Sequence, residues 1–260
     1  MIPHRPRQLA RLLLAVFATF GAVSATPGGS ANVRYAANFE LQSFPGSQRI
    51  PVRNLTRQTQ SERHYALVPK DGPLPDLPGT YTVIRTPVER VVAMETVYVG
   101  HLAALERLDR IVGVGTPDYV THPELRERIE AGTVASIQGG RQLDVEQLLL
   151  LQPDLILTSV TGDPAFDVPA KLSRARLPVF LSASYMEQDP LARAEWIKCF
   201  AALVGASDRA ERIFARHAEN EALPVTARID DLRARERAFG LADTSEAGAY
   251  AAFAAQVRAT

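Results

Sequence analysis

Arg90-Val91-Val92-Ala93-Met94, and Leu143-Asp144-Val145-Glu146-Gln147 running on to Gln152-Pro153-Asp154-Leu155-Ile156-Leu157-Thr158, decide the fold class of this chain. Each couples a short, buried-type apolar run to a stretch of helical spacing. Outward from them the cycle repeats, with strands expected near 90–94, 111–115, 133–137, 154–158 and 178–182 and helices between. Such alternation predicts parallel βαβ units covered on both faces.

Local signals place the helix ends. Val99, Leu102, Leu105 and Leu108 form a buried stripe at threefold spacing. Asp144 is the expected N-cap of the next helix, which Gln152-Pro153 ends. Asp189-Pro190 starts another, with Trp196, Ile197, Phe200, Leu203 and Val204 on one face and Gly205 closing it. Ser207 then caps a helix that runs to about Leu223 and carries Ile213 and Phe214.

Ahead of this region the pattern is different. Phe39 and Leu41 precede a Phe44-Pro45-Gly46-Ser47 turn, Ile50 and Val52 follow it, and His64-Tyr65-Ala66-Leu67-Val68 comes next. Alternation about a proline–glycine turn predicts two or three antiparallel strands. Gly72, Pro73, Pro75, Pro78 and Gly79 mark a linker and a boundary. At the N-terminus, His4, Arg5, Arg7 and Arg11 precede an apolar run from Leu12 to Val23, and Val23-Ser24-Ala25 offers small residues for cleavage before Thr26. The run is shorter than the roughly 20 residues that cross a bilayer, so a removed secretory signal is expected, with the periplasm as destination. No cysteine lies near that point, so lipid attachment there is not expected.

Composition narrows the chemistry. In 260 residues, 29 basic side chains balance 29 acidic ones, which gives no reason to expect a nucleic acid or an anionic membrane as partner. The single cysteine, Cys199, excludes an internal disulfide and any multi-cysteine metal site, and reads as a buried apolar residue.

The Arg90–Met94 strand with Glu95-Thr96 after it, Leu108-Asp109-Arg110-Ile111-Val112-Gly113-Val114, the Leu143–Leu157 stretch, Lys171-Leu172, Leu177-Pro178-Val179 and Pro190–Ile197 stand in an order that resembles the class III substrate-binding proteins of bacterial ABC importers. These bind iron–siderophore complexes, haem or cobalamin. The resemblance covers about residues 88 to 223, and the strands between Asn38 and Lys70 resemble an N-terminal extension of an iron-related branch. It implies an α/β fold: a Rossmann-like parallel sheet lobe, preceded by an N-terminal antiparallel β extension and followed by a long linking helix. The second α/β lobe is expected to be mostly absent. The boundaries expected are a signal peptide at 1–25, extension and linker at 26–80, the N-terminal lobe at 81–205, an interlobe helix at 206–224 and a residual or aberrant segment at 225–260. Residues 224–260 show no βαβ pattern, and a premature stop, a frame shift or a one-lobed protein would each account for them.

Ligands of open parallel sheets meet loops at the carboxyl ends of strands. The candidate ligand-binding residues there are Glu95, Thr96, Tyr119, Arg141, Thr158 and Tyr185. Arg141 suits carboxylate or catecholate oxygens, while Tyr119 and Tyr185 can stack and offer a hydroxyl. By the resemblance, Glu146 aligns with an acidic residue that docks on arginines of the membrane permease. The function implied is periplasmic capture of a ferric siderophore or related chelate, haem and cobalamin remaining open, and its delivery to an inner-membrane permease, with no catalysis and no cofactor; a non-functional fragment is a further reading.

Two other classes were weighed. A nucleotide-using exported enzyme would need phosphate-binding glycines, but Gly113-Val114-Gly115-Thr116-Pro117-Asp118 lacks the third and runs into proline. A transition-metal binder needs converging histidines and carboxylates, whereas His64, His101, His122 and His217 fall on different elements. No Gly-x-Ser-x-Gly elbow occurs.

Overall fold

The computed structural model describes residues 28–30, 33–56, 61–77, 79–139, 142–160, 172, 175 and 177–221. The expected signal sequence, Arg141, Lys171 and the segment after Glu221 lie outside them.

The lobe is built on a five-stranded, wholly parallel sheet. Its strands are β6 (Val91–Ala93), β7 (Ile111–Val114), β8 (Ala135–Ser136), β11 (Leu155–Thr158) and β12 (Val179–Leu181), in the spatial order β12-β11-β6-β7-β8, while β9 (Gln138–Gly139) and β10 (Gln142–Leu143) form a separate antiparallel pair. All five fall where the apolar runs predict them. Successive side chains point to opposite faces. Val91, Ala93, Leu155 and Leu157 therefore join the larger core, while Val92, Met94 and Ile156 join a smaller one with Ile137, Leu148 and Leu172. Both faces are covered, as a parallel sheet requires.

The helices are α1 (Thr96–Ala104), α2 (Pro123–Glu130), α3 (Val145–Leu151), α4 (Pro190–Val204) and α5 (Ser207–Glu221). Asp144 caps α3 by accepting the Gln147 N–H at 2.8 Å, and Gln152 leaves it with φ 46°. Asp189 caps α4 through the N–H groups of Leu191 and Ala192, and Gly205 ends it in the left-handed conformation. Arg90 lies at the far end of α3, where its guanidinium donates to the Leu151 and Gln152 carbonyls left open by the helix end. One expectation needs correction. The stripe Val99, Leu102, Leu105 and Leu108 is buried throughout, but α1 stops at Ala104 because Glu106 turns left-handed at φ 55°, and Leu108 sits in a separate 3-10 turn.

The extension is larger than the two or three strands expected. β1 (Gly28–Ser30), β2 (Gln42–Phe44), β3 (Ser47–Arg53) and β4 (Glu62–Pro69) pair antiparallel in sequence order, with Gly46 at φ 72° in the β2–β3 turn. β5 (Thr82–Thr86) then adds in parallel to β4, so the sheet continues across the proline-rich linker. The crossing chain is fixed where Arg85 donates to the carbonyls of Pro69 and Gly72. Phe39, Ile50, Val52 and Tyr65 share one core with Val91, Trp196 and Phe200 of the lobe. Phe39 packs on Trp196 at 4.6 Å between ring centroids.

Five consecutive amides bind the extension to α4. The Glu195 carboxylate, fully buried, accepts from the N–H groups of Arg34, Tyr35 and Ala36, and Glu187 accepts from those of Ala37 and Asn38. Lys198 balances Glu195 at 3.3 Å, and Trp196 donates its indole N–H to Glu187. Buried carboxylates persist only with such pairing.

Candidate functional site

Chain order in the sheet starts at the middle strand β6, moves outward through β7 and β8, then returns to the other side of β6 with β11 and β12. The loops after β6 and β11 leave in opposite directions and open a crevice at their carboxyl ends, the place where open α/β sheets receive ligands. Glu95 and Thr158-Ser159 stand there. Glu95 Oε1 accepts from the Thr158 hydroxyl at 3.3 Å, the Ser159 N–H at 3.2 Å and the Ser159 hydroxyl at 3.1 Å. Its Oε2 is buried and makes no hydrogen bond. Burial raises the Glu95 pKa above the usual carboxylate range, partly offset by the donors of Ser159, Tyr98 and Thr158.

Tyr98, on the first turns of α1 and buried, interacts with Glu95, Ser182 and Ser159, which places β12 in the same polar cluster. Burial first, and then the Glu95 charge, push its phenol well above the ordinary value. Ser182 and Ser184 hydroxyls meet at 3.1 Å beyond β12. Beside them the Tyr185 phenolic oxygen lies 3.0 Å from the Leu55 carbonyl and 2.5 Å from that of Val160. The carbonyl contacts engage the hydroxyl that sequence reasoning offers to a ligand, and Tyr185 is 37% exposed.

Glu95, Thr158 and Tyr185 thus converge. Thr158 is buried beneath the rim with its hydroxyl directed to Glu95, while Thr96 is exposed at the start of α1. Tyr119 stands on a 3-10 turn after β7, 72% exposed and outside the Glu95–Tyr185 network. Glu146 is exposed on the first turn of α3, as are Leu149 and Leu150 further along. Sequence reasoning missed Tyr98, Ser182 and Leu55. Tyr98 lies three residues beyond Glu95, one helical turn, a spacing that could have linked it to the carboxylate.

The glycine at position 115 has a structural reason unrelated to phosphate. Its N–H donates to the Ala93 carbonyl, and a Cβ there would overlap the Met94 carbonyl oxygen. A cavity of about 480 Å³ is lined by Glu106, Arg107, Gly205 and Ser207 to Arg209, and a Cβ added at Gly205 would meet Pro87, ahead of β6, at 3.2 Å. That is the amino end of the strand, and Arg209 pairs with Glu106 there at 2.7 Å, so the crevice is the better site. Among the described residues no three His, Cys, Asp or Glu side chains gather as metal ligands. His101 instead stacks on Phe200 at 4.8 Å, and burial lowers its pKa to about 4.

Residues 91–258 match the model of a family described as periplasmic binding protein, a span of more than half the chain. The chain belongs to the periplasmic binding protein family. The match confirms the resemblance seen from residue 88 onward and carries it past residue 223, through the segment in which sequence patterning gave no βαβ unit. An uncharacterized lipoprotein of Methanocaldococcus jannaschii is 23% identical over 170 residues, 60% of this chain and 40% of the relative. A periplasmic heme binding protein from Pseudomonas aeruginosa is 21% identical over 58% of this chain and 49% of its own, with TM-score 0.42. A periplasmic binding protein from Veillonella parvula is 17% identical over 74% of this chain and 54% of its own, with TM-score 0.44. The chain spans about half the length of the relatives it matches.

Proposed function

We propose that the protein captures a ferric siderophore or related iron chelate outside the cytoplasm and delivers it to an ABC-importer permease, catalysing no reaction. The observation that carries this reading is the convergence of Glu95, Thr158-Ser159 and Tyr185 at the switch point of a parallel sheet in a chain of this family. Thr96 and Tyr119 extend the rim, and Arg141, which lies outside the described residues, supplies on chemical grounds a cationic partner for an anionic chelate. Glu146 docks on permease arginines, its exposure on α3 being what that role requires. In this reading α5 begins the helix that leads to a second lobe, and residues 1–25 are a cleaved leader to the periplasm, leaving a mature chain without lipid. The mass of the secreted product tests the leader and the absence of lipid together.

Binding is tested by titrating the chain with ferrichrome, ferric enterobactin, haemin and cyanocobalamin, read by tryptophan fluorescence. Submicromolar binding of an iron–siderophore probe is the expected result. Tight binding of haemin or cyanocobalamin alone moves the substrate class, and binding of none overturns the reading.

A further inference from the structure

We propose that the turn leaving β3, Asn54-Leu55-Thr56, forms a side wall of the ligand cleft and, by holding Tyr185, makes the N-terminal extension a determinant of which ligand is accepted. The inference deepens the binding reading above and rests on it.

β12 is an edge strand, and an edge offers unpaired backbone groups. Here the extension runs along that edge. The Leu181 N–H donates to the Tyr65 phenolic oxygen at 2.9 Å, and the Tyr65 ring packs on Phe180 at 4.4 Å. At the carboxyl end of the same strand, the Tyr185 hydroxyl meets the Leu55 carbonyl of the extension and the Val160 carbonyl of the lobe. Val160 follows Ser159, which bonds Glu95. The contacts therefore form one arc from the switch point, Glu95–Ser159–Val160–Tyr185–Leu55, whose last member belongs to the extension.

The turn itself is fixed. Asn54 adopts φ 51°, a conformation asparagine tolerates better than most residues, and its side-chain amide donates to Asn38 Oδ1 at 2.8 Å. The Asn38 N–H is in turn held by Glu187, so the wall is tied back to the helical layer of the lobe. Leu55 is buried, and the phenol of Tyr185 is directed at two carbonyls, so the surface presented to the cleft is an aromatic ring without charge. Such a wall accepts an aryl or other flat apolar arm of the ligand, in contact with the ring face.

Hydrogen–deuterium exchange on the full chain, with and without ferric enterobactin, haemin and ferrichrome, tests this. An aryl or porphyrin probe is expected to slow exchange at Asn54–Thr56 together with Glu95–Tyr98 and Thr158–Val160, and Tyr185→Phe is expected to weaken that probe about tenfold. Slowing at the strand-end loops without the Asn54–Thr56 turn overturns the wall while leaving binding at the switch point intact. Unchanged affinity in Tyr185→Phe overturns the role of the Leu55 tie. Protection of the turn by ferrichrome, which has no aryl group, overturns the ligand class, and no protection with any probe overturns the binding reading and the wall together.

Discussion

The Tyr35 N–H lies 2.7 Å from the Glu195 carboxylate, although 160 positions separate the two residues. A helix side chain here does the work of a neighbouring strand: with Glu187 it satisfies five successive amides of the segment ahead of β2. Hydrogen bonds to an ionised acceptor are roughly twice as strong as neutral ones. The extension is consequently part of the lobe's stability.

Glu195→Ala removes the acceptor of three amides in a buried site and takes from Lys198 one of the two carboxylates, Glu195 and Glu211, that flank it. Removing one partner of such a set costs about 3–5 kcal/mol. Urea unfolding is expected to show a loss of that size, with Glu195→Gln losing less because one acceptor oxygen remains. A loss below about 1 kcal/mol for the alanine variant, the level of a surface pair, would remove the clamp from the account.

Tyr65→Phe keeps the ring on Phe180 but strands the Leu181 N–H. An unsatisfied buried donor costs about 1–3 kcal/mol. The variant is expected to be less stable by that amount and to exchange the Leu181 amide faster, and unchanged exchange at Leu181 would count against the bond.

His101 makes the fold acid-sensitive. Its pKa falls from 6.5 in the unfolded chain to about 4 when folded, so the folded state binds the proton less well. Its contribution is complete above pH 6.5 and is lost as pH drops toward 4, up to about 3 kcal/mol at 1.36 kcal/mol per pH unit. His101→Phe is expected to flatten stability across that window. A His101→Phe curve parallel to the parent from pH 7 to 4 would contradict the assignment.

Glu95 acts in the opposite sense. Its raised pKa means that the folded state favours the protonated acid, so stability is fullest below the ordinary carboxylate range and declines as pH rises through the raised value. Glu95→Gln retains Oε1 as acceptor for Thr158 and Ser159 and cannot ionise. Its melting temperature is expected to exceed the parent's at pH 7, with the gap closing toward pH 4. A gap that does not vary with pH would separate the effect from ionisation.

The docking proposal predicts that Glu146→Arg lowers uptake by cells while leaving ligand affinity unchanged. Equal uptake would exclude a permease contact at this residue.

Much of the fold was legible because its determinants are local. Apolar runs gave the five parallel strands, and Asp144, Asp189 and Gly205 marked helix ends by chemistry confined to a single turn. The pairing of β5 with β4 was not legible, because the proline-rich linker reads as a boundary whichever sheet the next strand joins. Glu187 and Glu195 were missed for a similar reason: their partners are backbone amides far away in sequence, which leave no side-chain pattern. A signal did exist, since Glu195 and Lys198 fall among the buried apolar positions around Trp196 and Cys199. The place of Glu95 and Thr158 at the carboxyl ends of strands was legible, while the bond from Tyr185 to Leu55 needed the extension's position to be known.

At Gly115 the exits of β6 and β7 touch with no room for a side chain between them. The loops that begin with Glu95 and with Thr116 therefore start from one packed point, and a side chain at position 115 would force the two strand exits apart. On the other side of the switch point, Val160 and Tyr185 meet the extension through the Leu55 carbonyl. The candidate cleft is thus bordered on one side by a strand junction that only glycine fits and on the other by the element added ahead of the lobe.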